Sequence, residues 1–286
     1  MKFPDFHFSV LMSVYAKEKA EYFDLALKSV LIDQTCPPSE IVLVADGYLT
    51  PDLYSVIDKY KKLYKNFKLI QLDKNSGLSN ALNEGIKHCS FEWIARMDSD
   101  DISLPNRFTK QIEYIQSHHN IDVLGTALFE CEIHKKETVS TKYCPEDINT
   151  YIKFRSPVNH ATVMYKKSSV LCAGGYIHCP YMEDYHLWIR MHKKGMKITS
   201  LQESLYLVKM DSNVIKRRGG IQYLKSEIVI QKLLLRSDII SLPRFIVNII
   251  IRCSARIIPS SLRAFLYKHI LRSHNSIAKE SKCILS

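Results

Sequence analysis

Glycine is scarce in this chain, 9 of 286 residues, and it is not arranged to cradle phosphate. No GxGxxG follows the first apolar strand, which argues against a dinucleotide-binding loop. No GxxxxGK[ST] occurs, which excludes a nucleotide-hydrolysing P-loop. The eight cysteines (36, 89, 131, 144, 172, 179, 253, 283) form no CxxC pair, so a zinc site is not expected. No apolar run reaches the ~18–20 residues that cross a bilayer. The longest candidate, Ile239 to Ile251, is broken by Pro243, Arg244 and Asn248. The opening Met1-Lys2-Phe3-Pro4-Asp5 lacks the apolar core and cleavage site of an export signal. The thiols are therefore expected to be reduced, in a cytosol, packing as small hydrophobes.

What is present is a globular composition, 46% hydrophobic and 24% charged, long enough to bury a substantial core. The net charge of +11 is unevenly placed. From Leu201 to Ser286 there are fifteen Lys and Arg against five Asp and Glu, or +10. Such asymmetry points to an anionic surface, either a membrane leaflet or a nucleic acid.

Phe8 to Tyr15, Ile41 to Ala45, Phe67 to Leu72 and Trp93 to Ala95 are short apolar runs that read as buried strands. Helical patterns separate them, at Tyr22 to Ile32, after Thr50-Pro51-Asp52, and from about Leu78 to His88. This alternation predicts a parallel α/β sheet, in which ligands bind beyond the carboxyl ends of the strands. Tyr15, Asp46 and the stretch Arg96-Met97-Asp98-Ser99-Asp100-Asp101 all fall at such ends. A helix is expected from Arg107 to about Ser117, strands at Ile121 to Gly125, Ala127 to Ile133, Asn159 to Tyr165 and Leu201 to Met210, and a helix opening at Tyr181 to Tyr185. Cys144 to Asp147 reads as a helix cap, and residues 126–156 are the least legible part.

Three carboxylates within four residues repel one another unless a cation or a proton sits among them. Hard divalent ions such as Mn²⁺ or Mg²⁺ bridge a few carboxylates to substrate phosphates. Taken alone, the hexapeptide reads sooner as a solvated acidic turn capping the next helix. Convergence with Tyr15 and Asp46 on one crevice favours the ion.

The ordered series of motifs resembles a family. Ser9-Val10-Leu11-Met12-Ser13-Val14-Tyr15, Ser29-Val30-Leu31-Ile32-Asp33-Gln34-Thr35 and Glu40-Ile41-Val42-Leu43-Val44-Ala45-Asp46-Gly47 are similar to the opening of a family 2 glycosyltransferase with the GT-A fold. Asn75-Ser76-Gly77-Leu78 and Leu82-Asn83-Glu84-Gly85-Ile86 continue it. Met97 to Asp101, backed by Pro105, Arg107 and Gln111, resembles the DxD block, and Glu183 to Arg190 the acidic catalytic motif. The likeness runs in order over about residues 8–215, and the basic tail resembles the subset that builds bacterial O-antigens and capsules. It implies a Rossmann-like, mostly parallel sheet flanked by helices over 1–215 and a basic helical region over 216–286.

The resemblance also implies roles. Ser13 and Tyr15 would line a uracil pocket and Asp46 would bond the uracil imide. Asp98 would contact ribose or metal-bound water, Asp100 would bind Mn²⁺ or Mg²⁺, and Asp184 would be the general base, with Glu183 as the alternative. Arg96 is counted with the donor-binding residues. His160 is either a satisfied core histidine or a phosphate, metal or acceptor contact. Arg190 pairs with Glu183 or Asp184, or reaches substrate. Arg217 and Arg218 clamp a diphosphate or face solvent or lipid. Ala45 departs from the pattern, since many relatives carry a second Asp there. The expected activity is inverting, metal-dependent transfer of a hexose, Gal or Glc, from a UDP-sugar to a lipid-diphosphate-linked sugar. The expected place is the cytoplasmic face of the plasma membrane, peripheral on its anionic surface. The tail reads either as interfacial helices or as an ordinary helical hairpin.

Three rivals stand beside this reading. A nucleic-acid-binding protein would explain the basic tail but needs more aromatics interleaved there, and it leaves the α/β part unexplained. A sugar nucleotidyltransferase needs a Gly-rich loop where Ser13-Val14-Tyr15-Ala16 stands. A paralogue that binds without catalysing would not need Asp100 and Asp184.

Overall fold

The computed structural model describes residues 3, 5–132, 137–209 and 220–257. The first half alternates strand and helix: β1 (Phe8–Val14), α1 (Ala20–Leu31), β2 (Glu40–Ala45), α2 (Pro51–Leu63), β3 (Phe67–Gln71), α3 (Leu78–His88) and β4 (Trp93–Met97). Next come β5 (Ile102–Ser103), α4 (Arg107–Ser117), β6 (Val123–Glu132), β7 (Glu137–Lys142), α5 (Ile148–Tyr151), a 3₁₀ turn (His160–Thr162), β8 (Met164–Lys166) and α6 (Lys167–Cys172). α7 (Glu183–Lys193), β9 (Ile198–Lys209), α8 (Ile221–Arg236) and α9 (Leu242–Ile257) follow.

The strands form one sheet in the order β3-β2-β1-β4-β8-β6-β9-β5, with β7 on β6. The expected parallel sheet is its first half, where β1 pairs in parallel with β2 and β4, and β2 with β3. The second half is mixed: β8 runs antiparallel to β4 and β6, while β6 and β9 are parallel. Both faces are covered. Val10, Met12 and Val14 enter one core with Phe23, Leu27, Ile57 and Phe108, while Leu11 enters the other with Leu82, Ile86 and Trp188. A one-residue slip would exchange these sets, so the register is firmly specified. α3 lies so close to the sheet that a Cβ on Gly85 would sit 2.3 Å from Leu11 Cδ1.

The chain leaves β1 toward β2 and β3, then returns past it to β4. This reversal opens a crevice beyond the carboxyl ends of β1 and β4, where open α/β sheets bind ligands.

The strand expected over Asn159 to Tyr165 is shorter than its sequence reads. His160–Thr162 is a 3₁₀ turn and only Met164–Lys166 pairs as strand. Side chains replace the ladder there: Thr162 Oγ1 accepts from Thr126 N (2.9 Å), and Asn159 Nδ2 donates to Thr126 O (3.1 Å). The two strands expected at Ile121 to Gly125 and Ala127 to Ile133 are one, β6, with a register shift at Thr126/Ala127. Asp147 caps α5, accepting from Thr150 N at 3.0 Å. Cys36, Cys89, Cys131, Cys144 and Cys179 are buried, and burial pushes the Cys89 thiol up to about 12. The boundary expected at 215/216 lies outside the described residues. α8 joins the second core through Ile230 and Leu234. No described helix is long and apolar enough to cross a membrane.

Candidate active site

A cavity of about 430 Å³ opens at the carboxyl ends of β1, β2 and β3, lined by Tyr15, Lys17, Asp46, Tyr48, Asp73 and Asn75 among others. Ser13, half-buried on β1, lies two residues before Tyr15 of this rim. Asp46 is 5% exposed, and its carboxylate is already engaged. It accepts from Ser76 N (2.7 Å), Ser76 Oγ (3.1 Å) and Gly77 N (3.0 Å), which ties the loop before α3 to the end of β2. A carboxylate has about four lone-pair directions, so roughly one remains for a ligand donor. Gly47 makes the approach possible: at φ +87° it takes a left-handed conformation, and a Cβ there would meet Asn75 N at 2.7 Å.

Beside this cavity, across the β1–β4 pair, stands the acidic turn. Arg96 is buried and donates from both terminal nitrogens to the two oxygens of Asp98, while its Nε has no hydrogen-bond partner. Asp98 is thus held by a cation of the chain itself. Asp101 is buried and accepts from Lys209 N at 2.9 Å. Burial and the neighbouring Asp98 and Asp100 raise its carboxyl well above the ordinary range. Asp100, with a side chain 40% exposed, lies 3.8 Å from Lys209 Nζ. Burial, Asp98 and Glu18 push its carboxyl up to about 6.

Glu18 and Lys209 are members of this group that sequence reasoning missed. Glu18 comes from the loop after β1 and accepts from Ser99 Oγ at 3.2 Å. Lys209 ends β9 and sits 3.4 Å from the centre of the Tyr22 ring. Neither carries a local signal, because the turn they join is some eighty and more than a hundred residues away.

Among the described residues no cluster of three or more His, Cys, Asp or Glu is arranged to hold a metal ion by itself. The donor chemistry nevertheless suits a divalent ion. Four carboxylates share the turn with two cations, the raised carboxyls report a negative potential, and Mg²⁺-type sites use one or two carboxylates with substrate phosphates. Asp100 is the ligand this geometry offers first, since Asp98 is taken by Arg96 and Asp101 by the β9 backbone.

The residues behind the turn brace it. Arg107, fully buried, donates to Arg96 O at 2.8 Å, and Gln111 donates to Thr162 O at 2.9 Å. Gln34 Nε2 donates to Leu104 O at 2.9 Å, and Thr35 N to Pro105 O at 2.9 Å. The motifs at 29–35 and 105–111 are therefore two sides of one clamp on the segment after the acidic turn.

Asp184 stands at the start of α7 and accepts from Ser156 Oγ at 2.9 Å, a partner sequence reasoning missed. A helix N-terminus alone would favour its charged form. Burial outweighs that and raises the carboxyl above the ordinary range, against the opposing Ser156 bond and the field of Arg96. Asp184 therefore holds a proton more readily than an exposed Asp. Glu183 is also raised by burial and by the neighbouring Asp184, against the charge of His178. Arg96 is the common neighbour, its charge felt at Asp100, Asp101, Asp184 and His160. Of the expected site residues, Asp98 bonds the Arg96 guanidinium directly, and Asp100, His160 and Asp184 lie within its field.

His160 bonds Tyr176 Oη at 2.9 Å and packs edge-on to Trp188. Burial and Arg96 hold its pKa well below the usual value, so it is neutral. Arg190 meets neither Glu183 nor Asp184. It donates to the carbonyls of Ala173 and Gly175 and to His186 Nδ1, pinning the Gly174–Gly175 turn. Arg217 and Arg218 lie outside the described residues.

The family model for glycosyl transferase family 2 matches residues 9–170, from the start of β1 into α6. The chain belongs to glycosyl transferase family 2. This glycosyltransferase is 38% identical over 264 residues to the amylovoran biosynthesis glycosyltransferase AmsE of Erwinia amylovora, covering 91% of this chain and 98% of that protein. It is 36% identical over 267 residues to the UDP-Gal:alpha-D-GlcNAc-diphosphoundecaprenol beta-1,3-galactosyltransferase of Escherichia coli, covering 93% and 96%. Its fold is that of solved GT-A glycosyltransferases. S. aureus TarS 1–349 with UDP-GlcNAc superposes with a TM-score of 0.66 at 18% identity, covering 94% of this chain and 78% of that one. The Pyrobaculum calidifontis mannosyltransferase PcManGT, in complex with GDP-Man and Mn²⁺, superposes at 0.59 and 13%, covering 95% and 84%.

Proposed function

We propose that this glycosyltransferase moves a hexose, Gal or Glc, from a UDP-sugar to a lipid-diphosphate-linked sugar, with inversion, in the assembly of a bacterial surface polysaccharide. The observation that carries the reading is the buried Asp184, bonded to Ser156 at the start of α7 and within the field of Arg96, the partner of Asp98. The name of the E. coli relative supports the donor and acceptor classes. In this reading the nucleotide lies in the cavity of Tyr15 and Asp46, with the uracil imide as the fourth donor to Asp46. Asp184 accepts the proton of the attacking hydroxyl, and its raised proton affinity suits that task. Ser156 fixes the carboxylate's orientation. Arg96, desolvated and clamped by Asp98, supplies fixed positive charge beside the reacting centre. A divalent ion, when bound, neutralises the charge that develops on the leaving diphosphate. A single base with direct displacement inverts the anomeric carbon, whereas the two-carboxylate retaining arrangement needs groups ~5 Å apart flanking the sugar.

We further assign the enzyme to the cytoplasmic membrane surface, where a lipid-linked acceptor resides. The test is a screen of UDP-Gal, UDP-Glc, UDP-GlcNAc and UDP-GalNAc with a GlcNAc- or GalNAc-diphosphate-lipid analogue and Mn²⁺. Transfer from UDP-Gal or UDP-Glc with an inverted linkage by NMR is expected. A retained linkage, or transfer from none of the four, refutes the reading.

A further inference from the structure

Helix α9 turns polar groups inward and apolar ones outward. Beside Phe245, which packs on the second core, its inward face carries Asn248, 5% exposed and donating to Gln231 Oε1 at 3.0 Å, and Arg252, donating to Glu227 Oε1 at 2.8 Å. Gln231 and Glu227 are themselves fully buried on α8. Its outward face is apolar, with Leu242 58%, Ile246 50%, Val247 46%, Ile250 62% and Ile251 61% exposed. A helix on a water-facing surface has the opposite polarity. The charged side chains shown exposed on α8, on α9 and between them are mainly cationic: Lys225, Lys232, Arg236 and Arg244 against the single acid Asp238.

We propose that the outward face of α9 lies in the headgroup–acyl boundary of an anionic bilayer. The inference rests on the reading that the acceptor is lipid-linked, and it names the element that meets the lipid. Charge decides between the occupants such a face could take. A second copy would bring the same cationic patch against itself, because a two-fold interface is self-complementary. An anionic leaflet neutralises that patch while covering the apolar stripe. The seat is also continuous with the site. Arg252 donates to Phe154 O, and Ser156, two residues on, holds Asp184. A bilayer under α9 therefore lies on the side from which a lipid-linked acceptor would reach the base.

The test uses the full chain and vesicles of equimolar phosphatidylglycerol and phosphatidylcholine, or of phosphatidylcholine alone. The variant is Leu242→Gln/Ile246→Gln, which adds no charge and touches no buried residue. Wild type is expected to co-sediment with the anionic vesicles. The variant should bind them roughly 30-fold more weakly, or worse, with UDP affinity and turnover on a short-chain acceptor analogue unchanged. An Ile246→Trp probe should be quenched by brominated acyl chains. If the variant binds like wild type, α9 is not the seat, and the membrane reading stands on other residues. If wild type binds no vesicle yet transfers sugar to the analogue, the seat and the membrane location fall while the transfer reading survives. If wild type is a dimer that the variant dissociates, the face belongs to a second copy and the proposal is overturned. Loss of vesicle binding in the variant, in an enzyme that transfers no hexose, upholds the seat and sinks the transfer reading alone.

Discussion

At the scale of the residue, the site is governed by how each carboxylate is neutralised. Asp98 has Arg96, Asp101 has a backbone N–H, and Asp184 has a serine hydroxyl, while Asp100 faces Lys209 from 3.8 Å. Asp184→Asn keeps size and hydrogen bonding but removes basicity. It should lower turnover by ~10²-fold or more with UDP-sugar affinity little changed, while Glu183→Gln stays active. The opposite pattern in steady-state kinetics would exchange the two roles. Because its carboxyl is raised, and only the ionised form accepts a proton, the acid limb of the wild-type rate profile should lie above that of an ordinary Asp. Asp100 gives a second pH signature. Its carboxyl is protonated below about 6 and ionised above, so Mn²⁺ and proton compete for it. Calorimetric titration of Mn²⁺ in the presence of UDP should show affinity falling as pH drops through that value, and Asp100→Ala should abolish the dependence. Affinity that stays flat over this span would remove Asp100 as the ligand. The acidic residues themselves were legible in sequence because they cluster. Ser156, Glu18 and Lys209 were not, since each is brought in by a distant element and carries no pattern of its own.

At the scale of the element, the chain is legible where burial is two-sided. β1 and β2 read as unbroken apolar runs because helices cover both their faces. The strand read over Asn159 to Tyr165 proved shorter because Asn159 and Thr162 substitute side-chain hydrogen bonds for ladder bonds, which an apolar run does not reveal. In α9 the periodicity is plain, yet period alone does not say which face turns inward. Arg190 shows a related limit: helical spacing placed it near Asp184, but its hydrogen bonds run to the Gly174–Gly175 turn. Two elements give measurable consequences. In Gly85→Ala a methyl must displace Leu11 Cδ1 from 2.3 Å, at the closest approach of α3 to β1. Overpacking of this kind should cost about 1–3 kcal/mol, read from the denaturant midpoint, with kinetics unaffected in the folded fraction. Asp46→Asn leaves the loop N–H groups of Ser76 and Gly77 short of acceptors. UDP binding should weaken by about 1–3 kcal/mol while turnover at saturating donor changes little. Unchanged UDP affinity would separate Asp46 from the nucleotide cavity.

At the scale of the whole molecule, the two helices after residue 220 meet the catalytic half through the apolar packing of Ile230 and Leu234 and through a buried ion pair. Glu227 is fully buried, and Arg252 answers it while also reaching Phe154 O. Deleting α9 would therefore strand Glu227 rather than simply trim a tail, and a point substitution is the cleaner test. Arg252→Met leaves a buried carboxylate without its cation. The loss should be about 3–5 kcal/mol, because an unpaired buried charge costs far more than the pair contributes. Glu227→Leu/Arg252→Met removes both charges and should recover most of that stability. The double variant still lacks the bond from α9 to Phe154 O, so in both proteins the loop bearing Ser156 keeps, of the Arg252 and Arg244 contacts, only that of Arg244 on the Phe154 ring. Turnover should stay depressed in the double variant although its melting temperature returns, and UDP affinity should be normal in both. Full recovery of turnover with stability would mean that α9 props up the fold without setting the loop that presents Ser156 to Asp184.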